Sequence, residues 1–276
     1  MDLGKQNILF FTRTMMLGGT ENVVLQLCEV FKPKVNKIVV CSCGGVNVEK
    51  LTEMGIRHYQ IPDISSKKDM FKICRTVKKI VEKEQITVIH SHHRMAAFYT
   101  EILFGSSIIK IANAHNTFFD KKLLTRFAYR NTKVIAVGKM VKKNLVDYFR
   151  IPEKQVSVIH NAVKPFDGDY IEDKYIRKLH DDGNFVVGNI GRLSEQKGME
   201  YFIEAIPKIL KKYPRTRFVI AGNGEDEQKL FSLAKKLGIE EYIKFLGYRK
   251  DVQNLMSQLD LIVLSSLWEG LPLTPI

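Results

Sequence analysis

The chain has 276 residues, of which 45% are hydrophobic and 26% are charged. This composition is that of an ordinary globular protein, so it excludes a small disulfide scaffold and wholesale disorder, and the length suits one large or two modest domains. The net charge of +13 is uneven: residues 1–165 hold 27 Lys and Arg against 13 Asp and Glu (+14), and residues 166–276 hold 16 against 17 (−1). A basic half suits nucleic acid, an anionic membrane or a phosphorylated substrate.

Apolar runs and cysteines bear on the cellular compartment. No uncharged apolar run approaches the roughly 18 residues that indicate a spanning helix, and the first residues lead into a strand-like segment rather than a signal peptide. The four cysteines, at positions 28, 41, 43 and 74, form no Cys-x-x-Cys pair. They suit reduced core residues better than a metal or redox site, so we expect a cytoplasmic protein.

Short β-branched runs alternate with amphipathic segments in the first part of the chain. The segments 21–31 and 140–149 place apolar side chains on one helical face. Strands that alternate with helices indicate a parallel, doubly wound α/β sheet. The predicted strands are residues 8–11, 37–41, 58–61, 87–90, 108–112, 133–137 and 156–159.

This alternation lapses in a polar stretch after residue 165 and restarts near residue 185. We therefore predict an N-terminal domain at 1–165, a linker at 166–184 and a C-terminal domain at 185–276, both domains being Rossmann-like. The second domain has predicted strands at 185–190, 217–221, 242–246 and 261–265, and predicted helices at 199–213, 226–237 and 251–258.

Two Rossmann-like domains raise the hypothesis of dinucleotide binding, but neither has the Gly-x-Gly-x-x-Gly turn, and a Walker lysine loop is also absent. The first domain instead has Gly18-Gly19-Thr20-Glu21 between a strand and a helix. Amides of such a turn can face an anion; the alternative is a plain turn in which Thr20 caps the helix.

Charged residues follow two predicted strands of the second domain. Arg192 and Lys197 come after residues 185–190, at the strand end where open α/β sheets bind ligands, and two such cations can neutralise a diphosphate. A solvated loop is the alternative. Glu269 and Gly270 follow residues 261–265, where a carboxylate suits a sugar or ribose hydroxyl and a glycine frees amides for phosphate.

These residues resemble the retaining family 4 glycosyltransferases of GT-B fold, over essentially the whole chain and more specifically in its second half. The motifs that carry the resemblance are Gly18-Gly19-Thr20-Glu21, Ala114-His115, residues 158–163, Gly191-Arg192-Leu193 with Lys197-Gly198, Ala221-Gly222-Asn223-Gly224, Phe245-Leu246-Gly247 and Glu269-Gly270-Leu271-Pro272. The chain departs from the family pattern at Gly138, Ala162 and Lys164, where serine, glycine and aspartate are common.

The resemblance implies roles in chemistry for four residues. Arg192 and Lys197 would hold the donor diphosphate, and His115 would contact the transferred sugar near its anomeric carbon. Glu269 matches the first glutamate of the family's glutamate, seven-residue, glutamate motif, which touches sugar hydroxyls.

The resemblance also implies backbone contacts to the donor. The loop that matches Gly18 and Gly19 would close over the diphosphate from the other domain, and the backbone after Gly247 would lie beside the base. The residues implied in donor binding are Gly18, Gly19, Gly222, Gly247, Tyr248, Gly270 and Leu271.

The implied architecture is two Rossmann-like domains facing a cleft, the second incomplete. The implied reaction moves a sugar with retention from a UDP- or GDP-sugar to a cell-surface glycan or lipid-linked acceptor, without an obligatory metal or other cofactor. The alternative is an inactive glycosyltransferase-like binding module, which a test for donor hydrolysis or transfer would distinguish.

The family motif also bears on activity. Counting eight residues from Glu269 puts its second glutamate at position 277, whereas the chain ends at Ile276. By the resemblance we expect a C-terminally truncated second domain, exposed apolar surface and negligible transfer by the 276-residue form.

Two other polar clusters suggest different chemistry. Asp167-Gly168-Asp169 looks like a metal-binding acid pair, but it lies in the polar linker, where a solvated turn is expected. The cluster of His90, His92 and His93 suggests zinc, but no further ligands with metal spacing are nearby, so we expect the wall of a ligand crevice.

The basic residues of the first domain favour an anionic membrane surface near the acceptor site. Lysines crowd residues 67–79, 121–122 and 142–143, and part of this charge is an ordinary solvated face. Nucleic acid is not expected as a partner, because no aromatic stacking platform or reader motif accompanies the charge. We therefore expect a cytoplasmic protein that binds the inner face of the membrane peripherally.

Overall fold

The structure is a computed structural model that describes residues 2–166 and 168–276. Contacts divide the chain into two compact units. The first unit comprises Met1–Asn161 with Gly270–Leu273, and the second comprises Ala162–Glu269 with Thr274–Ile276. The segment Gly270–Leu273 thus groups with the first unit, although the sequence pattern placed it in the second domain. Asp167 of the predicted acid pair lies outside the described residues.

The first unit is built on a parallel seven-stranded sheet in the order β3-β2-β1-β4-β5-β6-β7. Its strands are β1 Asn7–Phe11, β2 Lys37–Ser42, β3 Arg57–Gln60, β4 Val88–Ser91, β5 Ile109–Ala114, β6 Lys133–Ala136 and β7 Val156–Val158. Its helices are α1 Gly19–Phe31, α2 Val48–Glu53, α3 Met70–Glu84, α4 Arg94–Leu103, α5 Lys122–Ala128 and α6 Lys139–Lys143. The predicted strands and the doubly wound order are confirmed.

Strand β1 shows why the sheet is covered on both faces. All five of its residues are buried. Leu9 and Phe11 belong to one apolar cluster, and Ile8 and Phe10 belong to another. Successive side chains of a strand point to opposite faces, so an apolar run without polar alternation needs helices on both sides.

The predicted helix at 140–149 is interrupted. Helix α6 ends at Lys143, and residues Asn144–Tyr148 form one π-helical turn. The apolar side chains of Val141, Leu145 and Phe149 are nevertheless buried at a spacing of four residues. The periodic pattern therefore located the buried face correctly but could not reveal the change in helix type.

The second unit is built on a parallel four-stranded sheet in the order β10-β9-β8-β11. Its strands are β8 Phe185–Ile190, β9 Thr216–Ala221, β10 Ile243–Gly247 and β11 Leu261–Ile262. Its helices are α7 Lys174–Asp181, α8 Met199–Lys212, α9 Glu227–Lys236 and α10 Val252–Met256. Strand β11 is shorter than the predicted 261–265.

The stretch 166–184, which we predicted to be a linker, contains α7. Asp173 caps the helix, since its carboxylate accepts hydrogen bonds from the amides of Tyr175 and Ile176. Ile176 and Leu179 are buried in an apolar cluster with strands β8 and β9. The segment looked like a linker because only two strongly apolar positions face the core in a mostly polar helix.

The cysteines are all free, and two of them are core residues as expected. Cys28 and Cys41 are buried, and burial raises the pKa of the Cys28 thiol to about 12. Cys43 and Cys74 are instead partly exposed. Within the part of the chain that the structure describes, no helix is long and apolar enough to cross a bilayer.

Candidate functional site

In the second unit, Lys197 and Glu269 meet at the carboxyl edge of the sheet. Strands β8 and β11 are parallel neighbours, so the loops that follow them start side by side. Lys197 Nζ lies 2.6 Å from Glu269 Oε1, and each side chain is about one-fifth exposed. The sequence placed both residues at strand ends but did not predict that they form an ion pair.

Hydrogen bonds hold these two loops together. Ser265 Oγ donates to the carbonyl of Lys197 at 3.1 Å and accepts from Asn189 Nδ2 at 3.0 Å. The amide of Leu267 donates to the carbonyl of Gln196 at 2.8 Å. The Lys197–Glu269 pair is therefore carried by a fixed backbone rather than by two independent loops.

Gly222 allows the loop after β9 to approach the loop after β8. Its φ is +144°, a value that disfavours other residues, and a Cβ there would lie 1.8 Å from the carbonyl oxygen of Gly191. The amide of Gly222 donates to the carbonyl of Gly247 at 2.8 Å. Gly247 has a φ of +67° with open space beside its Cα, and Tyr248 after it is exposed.

Arg192 is exposed on the loop after β8. Among the residues that the structure describes, no carboxylate pairs with its guanidinium. An unpaired guanidinium keeps its planar fork of donors for an incoming anion. The charge of Lys197 is already balanced by Glu269, whereas that of Arg192 is not. Arg192 is therefore the more available of the two cations for binding an anion.

In the first unit, His92 and His115 meet at the carboxyl ends of β4 and β5. These strands are parallel neighbours, and each histidine is the first residue after its strand. His92 Nδ1 lies 3.1 Å from His115 Nε2, and the rings stack with centroids 5.3 Å apart. His115 is partly exposed, and His92 is buried.

Burial keeps this histidine cluster neutral. It lowers the pKa of His115 to about 4, with a smaller contribution from the neighbouring His90 and His93. Burial likewise lowers the pKa of His90 to about 4, against the effect of its bond to Asn113 Oδ1 at 2.8 Å. These imidazoles act through hydrogen bonds at neutral pH, not through charge.

The predicted zinc alternative does not fit this arrangement. His90 bonds Asn113, His92 bonds His115, and His93 caps α4 by accepting from the amide of Met95. Across residues 2–166 and 168–276, no three His, Cys, Asp or Glu side chains are grouped so that they could hold a metal ion.

The glycine loop of the first unit begins α1. Gly18 is the N-cap residue in an extended conformation, and Thr20 lies inside the helix, so the alternative in which Thr20 caps the helix is wrong. Thr14 Oγ1 donates to the carboxylate of Glu21. That carboxylate lies against Gly18, where a Cβ would come within 2.4 Å of Glu21 Oε2. A side chain at position 18 would therefore have to displace the carboxylate of Glu21.

Gly270 and Leu271 contact other residues of the first unit, with which they group. A Cβ at Gly270 would lie 2.0 Å from the carbonyl oxygen of His115. Asn161 Nδ2 donates to the carbonyl of Leu271 at 2.8 Å, and Leu271 packs against the apolar cluster around β5 and β6. Neither contact was predicted, because the residues that meet are far apart in the sequence.

Family profiles match both parts of the chain. Residues 17–165 match Glycosyltransferase Family 4, and residues 171–276 match Glycosyl transferases group 1. The first match covers more than half of the chain, and the two matches follow the chain in the order that the resemblance predicts.

Curated relatives are glycosyltransferases. A component of human phosphatidylinositol N-acetylglucosaminyltransferase is 27% identical over 275 residues, covering 92% of this chain and 55% of the relative. An Escherichia coli UDP-Gal:alpha-D-GlcNAc-diphosphoundecaprenol alpha-1,3-galactosyltransferase is 27% identical over 287 residues, covering 94% of this chain and 73% of the relative. The chain thus spans little more than half of the human relative's length.

Solved structures share the fold. Anabaena HepE in complex with UDP has a TM-score of 0.73 at 20% identity, covering 95% of this chain and 74% of that chain. WaaG, a glycosyltransferase of lipopolysaccharide biosynthesis, has a TM-score of 0.69 at 14% identity, covering 94% of this chain and 75% of that chain. Similarity at this level of identity shows the fold alone, and it confirms the predicted GT-B class. By its sequence profile and its fold, the chain belongs to glycosyltransferase family 4.

Proposed function

We propose that this chain carries the donor and acceptor units of a retaining hexosyltransferase, which moves a sugar from a nucleotide sugar to a lipid-linked or glycan acceptor. The observation that carries the proposal is the fixed pair of Lys197 and Glu269 beside the unpaired guanidinium of Arg192. A diphosphate needs cations, and a sugar needs carboxylate acceptors, at one strand edge.

The proposed donor is a UDP-sugar, with a GDP-sugar as the alternative. UDP is supported by HepE, which has been solved with UDP and with UDP-glucose. In this chain, Arg192 would grip the diphosphate as a fork, and Lys197 would add a point charge. The backbone after Gly247, which has open space beside its Cα, would lie beside the base.

Glu269 would serve both the lysine and the sugar. Its Oε1 accepts a hydrogen bond from Lys197 Nζ, and in the described part of the chain no group donates to its Oε2. That oxygen is available to accept from a sugar hydroxyl. Stabilisation of the leaving diphosphate by the two preorganised cations would then drive bond cleavage, and the sugar would pass to the acceptor with retention, without an obligatory metal.

The proposed acceptor is a lipid that carries phosphate. The names of both relatives given above include one, phosphatidylinositol or diphosphoundecaprenol. The first 165 residues carry the +14 balance that suits such an acceptor and the anionic membrane around it. This supports a protein that works on the inner face of the membrane.

One surface of the first unit suits that membrane. Phe119, Leu123 and Met140 are 72%, 80% and 67% exposed. Lys122 Nζ lies 5.0 Å above the ring of Tyr148, which contacts Phe119 at 5.3 Å between ring centroids. Met140 and Lys143 lie on α6, which runs directly into the turn that carries Tyr148. We name Phe119, Lys122, Leu123, Met140 and Lys143 the apolar-basic surface. Apolar side chains among lysines are typical of interfacial membrane binding.

Nucleotide binding tests the donor half of the proposal. Calorimetry on the 276-residue chain would measure UDP, GDP, UDP-glucose, UDP-galactose and UDP-N-acetylglucosamine. Arg192→Ala should weaken binding of the preferred nucleotide roughly 10- to 100-fold, since it removes charge-assisted hydrogen bonds. The matched control is Arg215→Ala, because Arg215 is also exposed but precedes β9 at the opposite edge of the same sheet.

The outcomes separate the proposal from its alternatives. Equal loss in both variants would indicate nonspecific charge attraction, and unchanged binding in Arg192→Ala would remove this loop from the donor site. Nucleotide binding without release of free nucleoside diphosphate in the presence of lipid acceptors would favour the inactive binding module.

A further inference from the structure

We propose that His92 is a positioning residue that fixes the tautomer of His115. His92 Nδ1–H donates to His115 Nε2, and this bond leaves the proton of His115 on Nδ1, where it can be donated to the substrate. The inference rests on the proposed function in one respect only: it requires the contact between His115 and the transferred sugar that the family resemblance implies.

The ring of His92 is held on every side by the fold. Its amide donates to the carbonyl of Phe11 in β1 at 2.8 Å. Its ring lies 4.4 Å from that of His90 and 5.7 Å from that of Phe10, measured between centroids, and it stacks on His115. The side chain is only 3% exposed, and close packing in such a place restricts its rotamers. The bond between His92 and His115 therefore has a fixed geometry.

Both rings are neutral, so the bond contains one donor and one acceptor. Burial lowers the pKa of His92 well below its ordinary value, and the neighbouring His90 and His115 lower it further. The pKa of His115 is about 4. Two arrangements remain: either His92 donates from Nδ1 or His115 donates from Nε2.

The far nitrogen of His92 decides between them. His92 Nε2 is buried and has no partner among the described residues. If His115 donated, His92 would carry its proton on Nε2, and this buried N–H would have no acceptor. If His92 donates from Nδ1, its Nε2 is unprotonated and is only an acceptor without a partner. Orphaned buried N–H groups are rarer in proteins than under-satisfied acceptors, so the second arrangement is favoured.

The consequence is a directed donor on His115. A free imidazole prefers its proton on Nε2, and the bond from His92 reverses that preference. In the described structure His115 Nδ1 makes no hydrogen bond of its own, and His115 is partly exposed. A protonated Nδ1 matches an oxygen acceptor, such as a hydroxyl of the sugar. His92 would thus prepare His115 without touching the substrate.

Nitrogen-15 NMR of the imidazoles tests the tautomer directly, because protonated and bare ring nitrogens have well separated shifts. In the wild-type 276-residue chain we expect His115 with a protonated Nδ1 and a bare Nε2. Finding the proton of His115 on Nε2 in the wild type would overturn the proposal, and no variant is needed for that result.

Two substitutions separate the hydrogen bond from the packing. His92→Phe keeps an aromatic ring in the stack but removes the donor, so His115 should shift towards the Nε2–H form. His92→Asn places an amide N–H near the former Nδ1 position, so the Nδ1–H form should return. His58, whose Nε2 bonds Ser42 Oγ at 2.8 Å in another strand pair, should be unchanged in both variants.

Ligand affinity tests whether the tautomer matters for the sugar. The probes are UDP and whichever of UDP-glucose, UDP-galactose and UDP-N-acetylglucosamine the wild type binds most tightly. His92→Phe should lower the preference for the UDP-sugar over UDP about fivefold, the value of one hydrogen bond, and His92→Asn should restore it. A shifted tautomer with an unchanged preference would refute the sugar contact of His115 and leave the hydrogen-bond assignment standing.

Discussion

The two units contrast in where they keep their charge. The basic first unit has a neutral candidate site, in which His90 and His115 have pKa values of about 4 and act through hydrogen bonds. The second unit is nearly neutral in total, yet its candidate site holds Arg192 and the Lys197–Glu269 pair. Net charge therefore describes the surface that a unit offers to a partner, whereas burial and pairing decide the chemistry of its site.

The largest effect on stability should come from placing a side chain between the loops that follow β8 and β9 in the second unit. Gly222→Ala places a Cβ against the carbonyl of Gly191 at a strained φ, so the free energy of unfolding of the second unit should fall by about 3 kcal/mol or more. Gly247→Ala, with a positive φ but open space, should cost only about 1 to 2 kcal/mol. Urea unfolding followed by the fluorescence of the single tryptophan, Trp268, measures both.

Equal losses of unfolding free energy in Gly222→Ala and Gly247→Ala would show that backbone strain at a positive φ, and not the contact between the loops, causes the destabilisation. The tryptophan is well placed for the measurement because it lies in the second unit.

Mild acid should destabilise the first unit selectively. Between pH 6.5 and pH 4 the unfolded chain binds protons at His90 and His115, but the folded chain does not, because burial lowers both pKa values to about 4. Stability present at neutral pH is therefore lost as the pH falls, by up to about 3 kcal/mol for the fully buried His90. Carboxylates such as Glu84, with a pKa of about 2, matter only at lower pH.

Hydrogen exchange of amides in β4 and β5, compared with those in β8 and β9, separates the two units in this experiment. Loss of protection in β8 and β9 at the same pH would mean that the histidine cluster is not the cause.

Opposite substitutions in the ion pair should shift nucleotide binding in opposite directions. Lys197→Met keeps the apolar stem but removes the charge, so UDP affinity should fall roughly 10- to 100-fold. Glu269→Gln frees Lys197 from its partner, so UDP affinity should rise about threefold while the preference for a UDP-sugar over UDP falls. Calorimetry at two salt concentrations measures both, and a loss of UDP affinity in both variants would contradict the proposed division of roles.

A further prediction concerns the apolar-basic surface of the first unit. Leu123→Ser should lower partitioning onto anionic vesicles roughly tenfold, because it removes an aliphatic side chain from the lipid interface. Val30→Ser, at a half-exposed position on α1, is the matched control. Vesicle sedimentation with and without salt measures the partitioning. Equal binding to neutral and anionic vesicles would refute the electrostatic contribution to membrane binding.

Local patterns were sufficient for the fold. The apolar run at residues 8–11 predicted a strand, which the structure buries completely, and the alternation of strands and helices predicted parallel sheets. The pattern failed where few residues carried it: α7 has only Ile176 and Leu179 facing the core, and β11 is limited to Leu261–Ile262. Short elements depend on their neighbours more than on their own residues.

The sequence by itself determined the family, the strand ends that carry polar residues and the candidates Arg192, Lys197, His115 and Glu269. Only the tertiary structure decided which of them meet. Lys197 and Glu269 are 72 residues apart, and His92 and His115 are 23 apart, yet parallel pairing of β8 with β11 and of β4 with β5 brings each pair into contact. Hydrophobic periodicity is a local signal, whereas the order of strands in a sheet follows from how whole elements pack.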